Sequence, residues 1–199
     1  MSLRRSYSLI APLYDALLAG AGTGLRAASL EQLPRQENLD ILISGIGTGL
    51  DLPHVPACHH YVGLDLTAAM LKRARPRIGN LHVDLVQGDS MSLPFMDACF
   101  DHVVLHLILA IVPDASTCLK ETARVLKPGG SVLILDKFLK PGENAVLRRM
   151  VNLLSQHIVT RLDVVFEEVL ASVPQLKVES DQPLLAGGWF RSIRLVKAG

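Results

Sequence analysis

Apolar residues in this chain fall into two patterns. Some form short continuous blocks, which read as strands buried on both faces, and others recur every three or four positions, as on amphipathic helices. Leu39 to Ser44 is the first continuous block and is closed by glycine. Tyr61 to Leu64, Leu81 to Val86, Phe100 to Leu105 and Ser131 to Leu135 follow as strands two to five. Between them, Thr67 to Arg75 predicts a helix capped by Thr67 or Asp65 and stopped by Pro76. Ala115 to Leu126 predicts another, closed by Lys127-Pro128-Gly129-Gly130. Ahead of the first strand, a segment from Leu3 to Leu18 should break at the glycines of Ala19 to Gly24, with a helix over Leu25 to Leu33 stopped by Pro34. Beyond the fifth strand, Glu143 to Thr160 and Asp163 to Ser172 look helical, and Leu176 to Glu179 with Phe190 to Val196 predict a terminal hairpin. Alternating strands and helices of this kind predict an α/β fold with a mostly parallel sheet covered on both faces. Ligands of such sheets bind beyond the carboxyl ends of the strands.

Composition narrows the class. At 199 residues, with 49% apolar residues and no repeat or linker, the chain suits one domain. The expected division is a helical lid over 1–35, a ligand-binding core over 36–140, and substrate-side helices and strands over 141–199. A net charge of +1 argues against a broad nucleic-acid face. No apolar run approaches the roughly 20 residues of a membrane span, and Arg4, Arg5, Pro12 and Asp15 interrupt any signal-peptide core. Cys58, Cys99 and Cys118 are scattered, which suits reduced cysteines in the cytoplasm.

The residues just after each predicted strand carry the candidate chemistry. Gly45-Ile46-Gly47-Thr48-Gly49 follows strand one, where glycines allow a ligand close to the backbone. Asp65 ends strand two and can accept hydrogen bonds from both hydroxyls of a ribose, or cap the helix that follows. A dinucleotide fingerprint wants a third glycine at position 50, which is Leu50, so pyrophosphate binding and a nucleotide-dependent oxidoreductase are disfavoured. Gly88-Asp89-Ser90 follows strand three. Asp89 can accept from an adenine amino group and the Ser90 N–H can donate to a ring nitrogen; a plain turn is the alternative.

Together with Phe100-Asp101-His102-Val103-Val104 and Leu126-Lys127-Pro128-Gly129-Gly130, these motifs resemble the class I S-adenosylmethionine-dependent methyltransferases, in the right order across residues 36 to 136. Ala11-Pro12-Leu13-Tyr14-Asp15, Gly47 to Pro53 and Val112-Pro113-Asp114 are similar to the bacterial phosphatidylethanolamine N-methyltransferases and their ubiquinone and menaquinone C-methyltransferase relatives. The resemblance implies a Rossmann-like fold with a seven-stranded sheet, S-adenosyl-L-methionine as cofactor and S-adenosyl-L-homocysteine as product. It implies a cofactor site of Tyr14, Ser44, Gly45, Ile46, Gly47, Asp65, Leu66, Met70, Asp89, Ser90 and His106. A small or lipid-like acceptor is expected, a phospholipid amine before a quinone carbon or a soluble metabolite, with no nucleic acid, no metal and at most peripheral membrane contact. One position departs from the family: the acid two residues before the first glycine is replaced by Ile43. A catalytically silent S-adenosylmethionine-binding protein is therefore the rival reading.

Further residues have two readings each. His106, after strand four, is the candidate catalytic base, or a pocket histidine that only contacts the cofactor. Tyr7 and Tyr14 belong to a lid or simply pack. Lys137 meets a phosphate or carboxylate, or is solvated. Arg4-Arg5 and Arg148-Arg149 touch anionic headgroups, or face water. Cys58-His59-His60 looks like a metal cluster but lacks a second ligand group at suitable spacing, so a loop is the better reading.

Overall fold

The structure, a computed structural model, describes residues 22–35, 38–139, 164–184 and 190–199. The segment 3–18 with Tyr7 and Tyr14, the pairs Arg4-Arg5 and Arg148-Arg149, and the predicted helix over 143–160 lie outside those residues.

Seven strands form one sheet in the order β3-β2-β1-β4-β5-β7-β6. They are β1 (Asp40–Ser44), β2 (His60–Asp65), β3 (His82–Gln87), β4 (Phe100–His106), β5 (Leu126–Lys137), β6 (Leu176–Pro183) and β7 (Phe190–Lys197). The first five pair in parallel, and β7 lies antiparallel between β5 and β6. The chain winds outward from β1 through β2 to β3, then returns to place β4 on the other side of β1. That reversal makes the gap between the tips of β1 and β4 the switch point where a ligand is expected.

The central strands are buried almost throughout, and their side chains alternate between the two faces. Leu42, Val62, Leu64, Val103, Leu105, Val132 and Ile134 build the core of one face, while Ile41, Ile43, Tyr61, Val104 and Leu133 build the other. Helix α1 (residues 22–30) covers the second face with Leu30, and Leu33 follows in the turn beyond it. Helix α2 is Ala68–Ala74, capped by Thr67. Helix α3 is Ala115–Val125, where Asp114 Oδ1 accepts from the Ser116 and Thr117 amides at 2.9 and 3.1 Å. Helix α4 is Phe166–Ala171; Phe166 stacks with Phe138, and Arg191 crosses both rings while pairing with Glu167 and Asp181.

Three local expectations are corrected. Gly22-Thr23-Gly24 lies within α1, ahead of the expected start at Leu25; glycine's helix cost of about 1 kcal/mol yields to the docking of this helix on the core. The helix before β5 stops at Val125, and Leu126 to Gly130 already belongs to the strand. There Leu126 pairs Phe100 and Ser131 pairs His102, so the intervening residues bulge. Gly129 has φ +76°, and a Cβ on Gly130 would stand 2.5 Å from the Asp101 carbonyl oxygen. The last predicted helix starts only at Phe166, because Val165 makes a bridge with Leu139.

At the opposite end of the sheet from the switch point, His60 sits between two carboxylates, Nδ1 at 3.0 Å from Asp40 and Nε2 at 3.0 Å from Asp84. The hydrogen bond with Asp40 raises its pKa above the ordinary value, partial burial opposes this, and Asp84 adds to it. A folded-state pKa above the unfolded one means that the imidazolium stabilises the fold fully below the unfolded value of about 6.5. The contribution is lost as pH rises through the folded value. His60→Gln should therefore lower the melting temperature more at pH 5.5 than at pH 8.5. Equal losses at both would show that the charge contributes nothing.

Candidate active site

The turn after β1 is shaped for glycine. Gly45, Gly47 and Gly49 have φ of +78°, +57° and +81°, in the left-handed region that side chains disfavour. A Cβ on Gly45 would also come within 2.7 Å of Ile108 Cδ1. The turn is tied down on two sides. The Gly45 and Ile46 amides donate to the Leu64 carbonyl at 2.8 and 2.9 Å, and Arg77 Nη1 donates to the Thr48 carbonyl at 2.7 Å.

Asp65 at the tip of β2 braces the turns on either side of it, although the cap of α2 itself is Thr67. Its Oδ2 accepts from the Gly47 amide at 3.0 Å, and its Oδ1 accepts from the Thr67 amide at 2.9 Å and hydroxyl at 3.2 Å. Burial raises its pKa, against the pull of these donors. The carboxylate thus fixes the glycine turn and the entry to α2 while still lining the cleft. Beyond β3, Asp89 Oδ1 accepts from the Met91 amide at 2.9 Å, and the Ser44 hydroxyl donates to Ser90 Oγ at 2.8 Å.

One cleft brings together Gly45, Ile46, Gly47, Asp65, Leu66, Met70, Asp89, Ser90 and His106 from the sequence prediction. Ser44 is buried beneath it and does not line it, and Tyr14 lies outside the described residues. Ile43 is 1% exposed and packs in the core with Leu30, Leu52 and Leu133, so the position of the family's acid carries no polar group here. Of the residues after Ala57, Cys58 has its Sγ 3.6 Å from His59 Nε2, which also reaches the Pro34 carbonyl at 3.0 Å. Among the described residues no group of three or more His, Cys, Asp or Glu side chains is arranged to hold a metal ion. Lys137 stands over the Phe190 ring, 5.4 Å from its centre.

His106 is the last residue of β4, and both of its ring nitrogens are engaged. Nδ1 lies 2.8 Å from Asp51 Oδ1, and Nε2 lies 3.0 Å from the Ser29 hydroxyl. An ionised Asp51 only accepts, so Nδ1 carries a proton toward it, while Nε2 and the Ser29 hydroxyl share a hydrogen bond. The same Asp51 oxygen takes Arg26 Nη1 at 2.7 Å. Burial raises the pKa of Asp51, but His106 and Arg26 outweigh it and hold the carboxyl well below its ordinary range. Arg26, Ser29, Asp51 and His106 are all buried.

This network is what the sequence reading missed. A signal was present: Arg26, Ser29, Leu30 and Leu33 fall on one helical stripe, so two polar residues share a face with two core leucines. The other wall was also missed. Leu107, Ile108, Ile111, Val112 and Pro113, from the loop after β4, line the cleft with Met91. Leu107 adopts φ +58°, an unfavourable conformation for leucine. The buried Asp136 supports this loop by accepting from the Ala110 amide at 3.0 Å and the Lys137 amide at 2.8 Å. Burial pushes the Asp136 carboxyl up to about 6 despite those donors.

The chain has relatives among known proteins. Residues 39–134 match the family model for a methyltransferase domain. Over 163 residues the chain is 32% identical to the phosphatidylethanolamine N-methyltransferase of Cereibacter sphaeroides, covering 77% of this chain and 78% of that protein. It is 48% identical to the demethylmenaquinone methyltransferase of Anoxybacillus flavithermus, but over only 77 residues, 37% of this chain and 32% of that protein. Among solved structures it resembles a chain of the complex between the Haloferax volcanii methyltransferase activator Trm112 and a methyltransferase, at a TM-score of 0.78 and 18% identity over 97% and 98% of the two chains. The cyclase SpnF superposes with a TM-score of 0.79 at 17% identity over 98% and 95%; at these identities the likeness is one of fold. From the match to the Cereibacter enzyme across most of both lengths, the chain belongs to the class I S-adenosylmethionine-dependent methyltransferases.

Proposed function

We propose that the chain methylates a lipid-like acceptor, a phospholipid amine in the first place, at the β4 side of the cleft. The observation that carries this reading is the apolar wall of Leu107, Ile108, Ile111, Val112 and Pro113 beside the glycine turn. Such a wall desolvates a greasy acceptor and excludes water from the reacting centre. The similarity to the phosphatidylethanolamine enzyme, which runs through 77% of this chain, supports the same choice over the quinone relatives, which match less than half of it.

The residues present fit the cofactor. The glycine turn leaves backbone exposed where a Cβ would intrude, and two acidic side chains stand at neighbouring strand tips. In this reading Asp65 takes the ribose hydroxyls, Asp89 and the Ser90 amide take the adenine edge, and Ile46, Leu66 and Met70 pack around the adenosine. Ser44 acts from below, by fixing Ser90. When bound, S-adenosylmethionine supplies a methyl group on a sulfonium whose departure leaves a neutral thioether. No new negative charge needs stabilising, so the protein's contribution is alignment and exclusion of water. His106 fits alignment better than proton transfer, because Ser29 occupies Nε2 and Asp51 occupies Nδ1. An amine acceptor then delivers its proton to solvent before it enters the apolar wall.

Two outcomes are expected. With phosphatidylethanolamine vesicles and S-adenosylmethionine, mass spectrometry should find a gain of one methyl on the headgroup amine. A gain only on demethylmenaquinone or on a soluble metabolite would sink the phospholipid reading, and cofactor binding without any acceptor would favour the silent protein. Separately, Asp65→Ala should weaken S-adenosylhomocysteine binding by about tenfold or more, the scale of hydrogen bonds to a charged group. Asp89→Ala should weaken it less, since backbone donors share the adenine. Unchanged calorimetric affinity in both variants would remove adenosine from these strand tips.

A further inference from the structure

Asp65 and Asp89 stand at the tips of β2 and β3, on one side of the glycine turn. His106 stands at the tip of β4, on the other. Arg26 reaches the cleft on the His106 side, because one oxygen of Asp51 binds both residues, at 2.7 and 2.8 Å. An adenosine gripped by the two acids therefore points its amino-acid end across the glycines toward Arg26. That end needs polar partners, and the usual ones are missing. Ile43 is in the core, and the Ser44 hydroxyl is committed to Ser90.

Arg26 is only 7% exposed, yet it lines the cleft. A guanidinium offers a fork of five donors, suited to gripping a carboxylate with two parallel bonds. Its ion pair with Asp51 is made through Nη1, and the accepting oxygen is shared with an imidazole. A buried cation with one shared counter-charge favours a second anion, and the cleft is where that anion can enter. Resting on the reading of this cleft as the S-adenosylmethionine site, we propose that Arg26 binds the carboxylate at the amino-acid end of the cofactor. Asp51 is the positioning residue that holds the guanidinium toward it. The amino-acid end thereby has a charged partner from α1 on its carboxylate side, although position 43 supplies none on its ammonium side.

The test compares two ligands that differ only at that end. S-adenosylhomocysteine carries the amino-acid carboxylate, and 5′-methylthioadenosine keeps adenosine and thioether without it. Calorimetry on the full chain should show Arg26→Gln losing about tenfold or more for S-adenosylhomocysteine, with 5′-methylthioadenosine changed by less than about twofold. Arg26→Lys, which keeps the charge, should recover part of the loss, and Asp51→Asn should show a smaller loss with the same selectivity. The comparison is made within each variant, so a general loosening of the fold would weaken both ligands together. Equal losses for both ligands, or no loss for either, would overturn the assignment. Failure of the wild type to bind either ligand would instead overturn the reading of the cleft, and the two failures are told apart by the wild-type titration.

Discussion

The reversal of winding between β1 and β4 is the constraint on which the site depends. Strands β2 and β3 lie to one side of β1 and β4 to the other, so the connections leaving β1 and β4 diverge. The chain leaving β1 must turn at once without filling the gap that opens. Three left-handed glycines accomplish this, and the backbone they expose is held by the Leu64 carbonyl below and the Asp65 carboxylate beside it. Asp65 thus belongs to the frame before it belongs to any ligand. Its oxygens fix the turn of one crossover and the start of the next helix.

A second layer of order comes from electrostatics in a place where charge is costly. Asp51, Arg26 and His106 are each nearly removed from water. Buried ionic groups of this kind rarely raise stability over an apolar equivalent, but breaking one partner leaves an uncompensated charge. The network therefore specifies position more than it adds strength. It joins a helix that precedes the sheet, the loop after the glycine turn and the end of β4. Any shift of one element strains hydrogen bonds to the other two.

How much of this was legible in the chain follows from the range of the interactions. The strands were legible because continuous apolar blocks such as Leu39 to Ser44 state burial on both faces locally, and their tips located the glycines, Asp65, Asp89 and His106. The family resemblance added the cofactor, which periodicity alone does not name. Long-range effects were not legible. Gly22 to Gly24 read as a break because propensity is local, whereas the docking that keeps them helical is tertiary. The bulge at Leu126 to Gly130 depends on the partner strand, where the Asp101 carbonyl leaves no room for a side chain at Gly130. Arg26 and Asp51 lie 25 residues apart and find each other only when α1 lies on the sheet. Polar residues on the apolar stripe of that helix were the one local trace of the pair.

The fold itself leaves the chemistry open, since a cyclase superposes on this chain as well as a methyltransferase complex does. What distinguishes this site is the contrast between its two sides. Acidic groups and backbone donors stand at the tips of β2 and β3, while an apolar wall runs from Leu107 to Pro113 beyond β4. That wall is held by a buried carboxylate behind it, since Asp136 takes the Ala110 amide in the middle of the loop. The loop is thus pinned from the core through a backbone amide. A polar acceptor would find few partners there beyond the reacting centre, whereas an acyl chain or an isoprenoid tail needs none. The asymmetry of the cleft thereby separates the two ends of the reaction. In the proposed reading, one side takes the nucleoside through hydrogen bonds and the other takes the acceptor by excluding water.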